Sequence, residues 1–141
     1  MPKTTYKITY QEAKSLMAAA SESVAKHKVP GAIAIVDNGG NLLLLESLDD
    51  TMSSAANIAI GKAATAAAFK RATIDIEAVV LAGRSPMLVL DSATSQAYVP
   101  LKGGYPIYFN NELIGAIAVA GTMDADMDEV IVLEALENKG W

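Results

Sequence analysis

The sequence contains no cysteine, and that absence excludes several kinds of site at once. Disulfides, zinc–thiolate centres, iron–sulfur clusters and thiol nucleophiles all require cysteine side chains. Histidine is almost as scarce, because His27 is the single example in the chain. An imidazole iron ligand, an imidazole general base or a Ser-His-Asp triad would therefore have to use His27.

Basic residues are also few. Lys and Arg number 11 against 16 Asp and Glu, which gives a formal net charge of −5 at pH 7. Binding to a phosphate backbone needs a basic surface, so nucleic acid is not an expected partner. The chain has neither an apolar run of the about 20 residues that span a membrane nor the apolar core of a signal peptide. We therefore expect a cytoplasmic protein with no membrane partner.

The residues that are present can form one hydrophobic core. Hydrophobic residues make up 52% of the 141 positions and charged residues 19%. Such a chain can bury enough apolar surface to offset the entropy lost on folding. No repeat or linker divides it, and no G-x-S-x-G, Walker or dinucleotide-binding motif occurs. We predict a single domain over residues 1–141.

The first half of the sequence predicts a helix followed by a β-hairpin. Thr9 and Glu12 form a T-x-x-E capping box ahead of apolar residues at helical spacing. The second strand of the hairpin is apolar through most of its centre, so it should be covered on both faces or lie at a subunit contact. The predicted bounds are 10–28 for the helix, 32–36 and 41–48 for the strands, and 37–40 for the turn.

The second half predicts an alanine-rich helix, a second hairpin and a last helix. Residues 74–82 fit either a helix or a strand, because a short apolar run does not settle its own period. The alanine-rich helix is predicted to be capped by Ser53 or Ser54 and to end near 71, and the last helix to start at Asp124 or Asp126 and to end near 138. The other predicted bounds are 87–90 for a short extended piece, and 106–109 and 113–120 for strands joined at 110–111. Adjacent strands joined by tight turns indicate an antiparallel sheet with helices packed on it.

Three separated stretches resemble one protein family. They are AIAIVDNGGNLLLLESLDD at 32–50, AIGKAATAAAF followed by KRAT at 59–73, and GGYPIYFNNELIGAIAVAG followed by DADMDE at 103–129. Their order and spacing resemble the GlcG/HbpS-like family, which also forms the C-terminal part of PduO-type corrinoid adenosyltransferases. With the leading helix, the resemblance covers nearly the whole chain.

The resemblance implies an α/β (α+β) fold, a profilin-like sandwich with a five-stranded antiparallel sheet flanked by helices. It also implies a homo-oligomer, from dimer to octamer, and a haem, corrinoid-related or small organic ligand. The chain departs from the family pattern at Ser47, where the family usually has arginine, and at Ala72, Ala118 and Ala120. Losing the arginine removes a bidentate partner for an anion, so a ligand carboxylate would need another cation.

His27 is the first candidate ligand-binding residue. It lies between Lys26 and Lys28 at the end of the predicted first helix, where a solvated, charged imidazole suits the helix dipole. The alternative is ligation of haem iron, for which Tyr105 and Tyr108 are competing ligands.

Lys62 is the only charged residue between Asp50 and Lys70 and lies in the middle of the alanine-rich helix. A partly buried lysine can hold an anion or act as a base or an amine nucleophile. The alternative is a structural role, with the stem on apolar surface and the ammonium group paired to Asp37 or Asp49.

Lys102, Gly103 and Gly104 precede the second hairpin. Adjacent glycines permit a backbone nest whose N–H groups would hold a carboxylate or propionate beside the lysine charge. The alternative is an ordinary loop with positive φ. Arg71 is a further cation beside an apolar segment and a candidate partner for a ligand carboxylate.

Four acidic residues open the last helix: Asp124, Asp126, Asp128 and Glu129. Their spacing lacks the glycine and the terminal glutamate of an EF-hand loop. Acidic residues are ordinarily favoured in the first turn of a helix. We therefore predict helix capping here and no metal site.

Three hypotheses about function follow. The first is an oligomeric binding domain for haem or a related tetrapyrrole, in an apolar pocket with a cationic rim. The second is a cofactor-independent enzyme acting on a small organic acid or carbonyl compound, with Lys62 as the catalytic residue and Lys102 or Arg71 as electrostatic stabilisers. The third is a structural or assembly domain.

Overall fold

Nine elements follow one another in the computed structural model, which describes residues 1–141. They are helix α1 (Tyr10–His27), strands β1 (Ala32–Asp37) and β2 (Leu42–Ser47), helices α2 (Ala55–Phe69) and α3 (Thr73–Leu81), a 3-10 helix (Ser85–Ala93), strands β3 (Gly104–Phe109) and β4 (Glu112–Ala120), and helix α4 (Ala125–Glu137). None of these helices combines the length and the apolar character that crossing a bilayer requires.

Local capping interactions set the ends of the outer helices. Thr9 Oγ1 accepts the Glu12 N–H at 3.2 Å, and Glu12 Oε1 accepts the Thr9 N–H at 2.9 Å, so the predicted capping box is confirmed. α1 ends one residue earlier than predicted because Lys28 is left-handed, with φ 57°. α4 begins after Asp124, whose Oδ1 accepts the Met127 N–H at 2.8 Å.

The ambiguous middle of the chain is helical. Residues 74–82 fall almost entirely in α3, and the extended piece predicted at 87–90 is wrong because these residues belong to the 3-10 helix. Pro86 lies in the first turn of that 3-10 helix, where its fixed φ favours a helical start. α2 ends at Phe69 rather than at 71, since Lys70 is left-handed with φ 54°.

The sheet has four strands in the order β2-β1-β4-β3, and all neighbours are antiparallel. The antiparallel sheet flanked by helices is confirmed, but the prediction of five strands is wrong. The piece predicted to be extended at 87–90 is helical and adds no strand, and the segment before α1 makes one backbone hydrogen bond to β4, from the Ile8 N–H to Ile114 O at 3.0 Å.

The two faces of the sheet carry different side chains. We call the face toward α1 and α4 the isoleucine face, which in the strands comprises Ile33, Ile35, Ile107, Ile114, Ile117 and Val119. We call the face toward α2 the alanine face, which in the strands comprises Ala32, Ala34, Val36, Leu113, Ala116, Ala118 and Ala120. The structure therefore has three layers, with α1 and α4 on one side of the sheet and α2 on the other.

Strand β2 is an edge strand, and the chain itself does not cover it on both faces. Leu42 is 46% exposed and Leu45 39% exposed. The expectation that β2 is covered on both faces is therefore wrong within one chain. A subunit contact at this strand stays a prediction.

Candidate functional site

Lys62 is a buried member of an ion pair. Its side chain is 2% exposed, and its Nζ donates to Asp128 Oδ2 at 2.9 Å and to Val119 O at 3.0 Å. The other carboxylate oxygen, Asp128 Oδ1, accepts the Thr122 hydroxyl at 2.6 Å and the Thr122 N–H at 3.2 Å. Every polar atom of the pair thus has a partner, which is the condition for burying charge without a large penalty.

The predicted pairing of Lys62 with Asp37 or Asp49 is wrong. Asp37 closes the first hairpin turn, where its Oδ1 accepts the N–H groups of Gly39 at 2.8 Å and Asn41 at 3.0 Å. Burial raises the pKa of Asp37, but these hydrogen bonds outweigh it and hold the pKa below its usual value. The enzyme hypothesis relied on an available amine at Lys62, and that amine is enclosed by protein acceptors.

Gly103 and Gly104 make room for Lys62. A Cβ at Gly103 would lie 2.8 Å from Val119 O and 2.9 Å from Lys62 Nζ, and a Cβ at Gly104 would lie 2.8 Å from Lys62 O. Gly103 also has φ 116°, a conformation that favours glycine. The Gly104 N–H donates to Thr73 Oγ1 at 2.9 Å, so it points to the protein rather than to a ligand.

Lys102 and Tyr105 are held by acidic residues. Lys102 Nζ lies 2.8 Å from Asp126 Oδ1 and 3.7 Å from a Glu77 oxygen. The backbone N–H of Lys102 donates to Glu77 Oε2 at 2.9 Å. The bond to Asp126 raises the pKa of Lys102. The Tyr105 hydroxyl donates to Glu129 Oε2. Burial is the largest cause that raises the pKa of the Tyr105 phenol, and this carboxylate is the next largest. Glu129 Oε1 is buried without a hydrogen bond.

The acidic residues of α4 therefore do more than cap the helix. Asp124 is the cap, whereas the next three acidic positions bind Lys102, Lys62 and Tyr105 in turn. The sequence interpretation missed these pairs because their partners lie far away along the chain. One signal was available: a single lysine in an alanine-rich helix needs a buried acidic partner.

His27 joins α1 to α4. Its Nε2 lies 2.9 Å from Glu134 Oε1, the same oxygen that accepts the Ser23 hydroxyl at 2.6 Å, and Lys26 Nζ lies 3.5 Å from the other oxygen. Hydrogen bonds from Ser23 and then from His27 lower the pKa of Glu134. The side chain of His27 is partly buried and already has a charged partner.

The predicted site residues do not line one pocket. Tyr105 faces α4, whereas the Tyr108 hydroxyl donates to Lys70 O at the end of α2, on the other side of the sheet, at 3.0 Å. Arg71 is exposed and forms no ion pair within the chain. One group of these residues does lie close together: Lys62, Lys102, Gly103 and Gly104. The polar groups of these residues, however, bind other residues of the protein.

A cleft that the sequence did not reveal opens beside α2. It has a volume of about 380 Å³, and its lining residues are Gly39, Ala64, Ala68, Phe69, Leu90, Ala93, Thr94, Ser95 and Gln96. None of these side chains is charged, and most are apolar. Lys70 and Arg71, both exposed, directly follow Phe69 in the chain. We call this the α2 cleft.

Comparison with known proteins places this architecture in a family. The sequence model described as "Haem degrading protein HbpS-like" matches residues 8–137. The chain belongs to the HbpS-like family. The family resemblance drawn from the three sequence stretches is thereby confirmed.

Individual relatives of this HbpS-like chain agree in sequence and in fold. Protein GlcG of Escherichia coli K12 is 36% identical over 118 residues, covering 84% of each chain. The crystal structure of Klebsiella pneumoniae protein ORFY is 29% identical with a TM-score of 0.88, covering 98% of this chain and 94% of that one. The crystal structure of a PduOC:heme complex is 27% identical with a TM-score of 0.84, covering 94% of each.

Proposed function

We propose that this HbpS-like chain binds haem or a related tetrapyrrole, with the macrocycle in the α2 cleft. The proposal rests on the uncharged, mostly apolar lining of that cleft, whose residue Phe69 is followed in the chain by two exposed cations, Lys70 and Arg71. Support also comes from the PduOC relative, whose solved structure is a haem complex on the same fold.

The side chains of the α2 cleft fit the chemistry of a tetrapyrrole. Ala64 and Ala68 are small enough for a flat ring to approach the helix, and Phe69 and Leu90 supply apolar surface. The volume of about 380 Å³ lies within the range of ordinary ligand pockets, about 300–1,000 Å³. Part of the ring would remain at the open mouth of the cleft.

The exposed cations account for the charged part of the ligand. Haem carries two propionates at one edge, and arginine and lysine are the usual partners of carboxylates. Lys70 and Arg71 follow the lining residue Phe69 and would hold these groups. They would replace the cation that is missing at Ser47.

The α2 cleft and His27 differ in whether they offer a ligand for haem iron. No residue of the α2 cleft lining is His, Tyr, Met or Cys, the side chains that ligate haem iron. The Nε2 of His27 is engaged by Glu134. Bound haem would supply its iron for redox or ligand-binding chemistry, and the chain would hold it chiefly through the ring and the propionates.

The test is a haemin titration followed through the Soret band. We expect saturable binding by the native chain, and binding at least about tenfold weaker for Ala68→Trp, which fills the cleft. Arg71→Ala should weaken binding about two- to fivefold, as expected for an exposed charge pair. Ala25→Trp, an exposed substitution on α1, is the matched control and should bind as the native chain does.

The variant His27→Ala distinguishes haem binding in the α2 cleft from haem binding at His27. Retained binding in this variant supports the α2 cleft. Loss of binding in His27→Ala with unchanged binding in Ala68→Trp would show that haem is ligated by His27. The α2 cleft would then be the wrong binding site. Absence of saturable binding by the native chain would overturn the proposal as a whole.

A further inference from the structure

A second pocket lies apart from the α2 cleft, where three distant parts of the chain meet. Tyr6 precedes α1, Phe109 ends β3, and Trp141 follows α4. Their side chains line a pocket of about 180 Å³ together with Glu12 and Ile114. We call this the aromatic pocket.

Hydrogen bonds fix the walls of the aromatic pocket. The Tyr6 N–H donates to Glu112 Oε2 at 2.6 Å, and the Trp141 Nε1–H donates to Glu12 O at 3.1 Å. The rings of Tyr6 and Phe109 meet edge to face, with centroids 5.0 Å apart and an angle of 81°. Both rings nevertheless stay open to solvent, at 43% and 48% exposure.

The charges around the aromatic pocket favour a cation. Glu12 Oε1 accepts the Thr9 N–H, and Glu12 Oε2 has no hydrogen bond or ion pair in the chain. Lys7 also lines the pocket, but its ammonium group lies 3.4 Å from the Asp37 carboxylate. The carboxylate of Glu12, which lines the pocket with the three aromatic side chains, therefore has no ion-pair partner in the chain.

The aromatic rings are themselves acceptors for a cation. The face of an aromatic ring carries negative charge density, and several rings around one cavity are the usual way to bind a methylated ammonium group. Lys139 Nζ already lies 5.0 Å from the centroid of the Trp141 ring. The surface of Trp141 thus accepts a positive charge in the folded chain.

We propose that the aromatic pocket binds a small methylated or quaternary ammonium group. The rings of Tyr6, Phe109 and Trp141 would surround the group, and Glu12 would supply the opposite charge. A volume of about 180 Å³ suits such a headgroup and excludes a tetrapyrrole. This site does not depend on the α2 cleft.

Trp141 provides the readout, because it is the only tryptophan in the chain. We expect choline chloride to change its fluorescence in a saturable way, against sodium chloride at equal ionic strength. The neutral isostere 3,3-dimethylbutan-1-ol should bind at least about fivefold more weakly, because it lacks the charge. Equal binding of the two compounds, or no saturable change with choline, would overturn the proposal.

Two variants test the named residues. Glu12→Gln keeps a residue that completes the capping box, so it should weaken choline binding about three- to fivefold without unfolding α1. Phe109→Leu should weaken it further, whereas Tyr10→Leu, an exposed aromatic outside the pocket, should leave it unchanged. If Glu12→Gln binds choline as the native chain does, the assigned charge is wrong. Ala68→Leu, which narrows the α2 cleft without adding a second tryptophan, should keep the choline response, and this separates the site from haem binding.

Discussion

On the isoleucine face of the sheet, large side chains of β1 and β4 interlock with α1 and α4, whereas on the alanine face the same strands meet the alanines of α2. Both interfaces are fully buried, but they are stabilised differently. Large side chains bury more apolar surface, and small ones let the helix backbone come close to the sheet. The alanine face therefore tolerates truncation easily and enlargement poorly.

Close packing of α2 also shapes the surface on its other side. Ala64 and Ala68 belong to the same alanine-rich helix and line the α2 cleft. Gly40 approaches this helix as well, since a Cβ there would lie 3.8 Å from Ala64 Cα. A helix of small residues can thus pack on the sheet with one side and line a cleft with another.

One side chain connects the two layers. Lys62 projects from α2, the helix on the alanine face, to Asp128 on α4, a helix on the isoleucine face. The pair lies at the end of β4, where Val119 O also accepts a bond from the ammonium group. A buried charge pair therefore links the helix on the alanine face to a helix on the isoleucine face.

The largest expected effect comes from breaking that link. Lys62→Met should lower the free energy of unfolding by about 3–5 kcal/mol, because Asp128 is left buried without its cation. Urea unfolding measures the change. Lys3→Met, at an exposed position, is the control and should change stability by less than about 0.5 kcal/mol.

Replacing both members of the pair sharpens this test. Lys62→Met combined with Asp128→Asn removes both charges while keeping an oxygen for Thr122, so it should be more stable than Lys62→Met alone. A loss below about 1 kcal/mol in Lys62→Met would mean that Asp128 finds water or becomes protonated without cost, and the pair would not be the link between the layers.

An intermediate effect should distinguish the two faces directly. Ala118→Leu adds volume at a fully buried position of the alanine face and should destabilise the fold by about 1–3 kcal/mol. Ile117→Leu, its neighbour on the isoleucine face, conserves volume and should cost less than about 1.5 kcal/mol. Thermal or urea unfolding of the two variants gives the comparison. Equal losses in the free energy of unfolding would show that the alanine face can accommodate a larger side chain.

The elements that the sequence predicted well are those determined by nearby residues. The capping box at Thr9 and Glu12 acts over three positions, and Asn110 and Asn111 turn the second hairpin with φ 51° and 63°. Such interactions are visible in a short stretch because both partners are in it. The helices and hairpins were accordingly predicted to within a few residues.

The features that were missed depend on contacts between distant segments. Lys62 and Asp128 are 66 positions apart, and no spacing rule connects them. The α2 cleft requires the 3-10 helix and the loop after it to lie against α2, and residues 87–90 of that segment were predicted to be extended. Its apolar residues gave no clear period, so neither its structure nor its packing followed from the sequence.

The smallest expected effect concerns Tyr105, whose hydroxyl ties the β3 edge to α4 on the isoleucine face. Its pKa is raised in the folded chain, whereas an unfolded tyrosine ionises near pH 10. The unfolded state therefore loses its proton first, so this tyrosine contributes stability that is complete below about pH 10 and declines as the pH rises.

Tyr105→Phe should be less stable at pH 8, because the hydrogen bond to Glu129 is lost, yet it should lose less stability between pH 9 and pH 11. The difference in that loss should be at most about 1 kcal/mol, since part of the ring is exposed and solvent screens the carboxylate. Urea midpoints at several pH values measure it, with Tyr10→Phe on the exposed side of α1 as the control. Parallel alkaline curves for the native chain and Tyr105→Phe would mean that the phenol ionises equally in both states, and the Tyr105–Glu129 bond would then add nothing specific to this face.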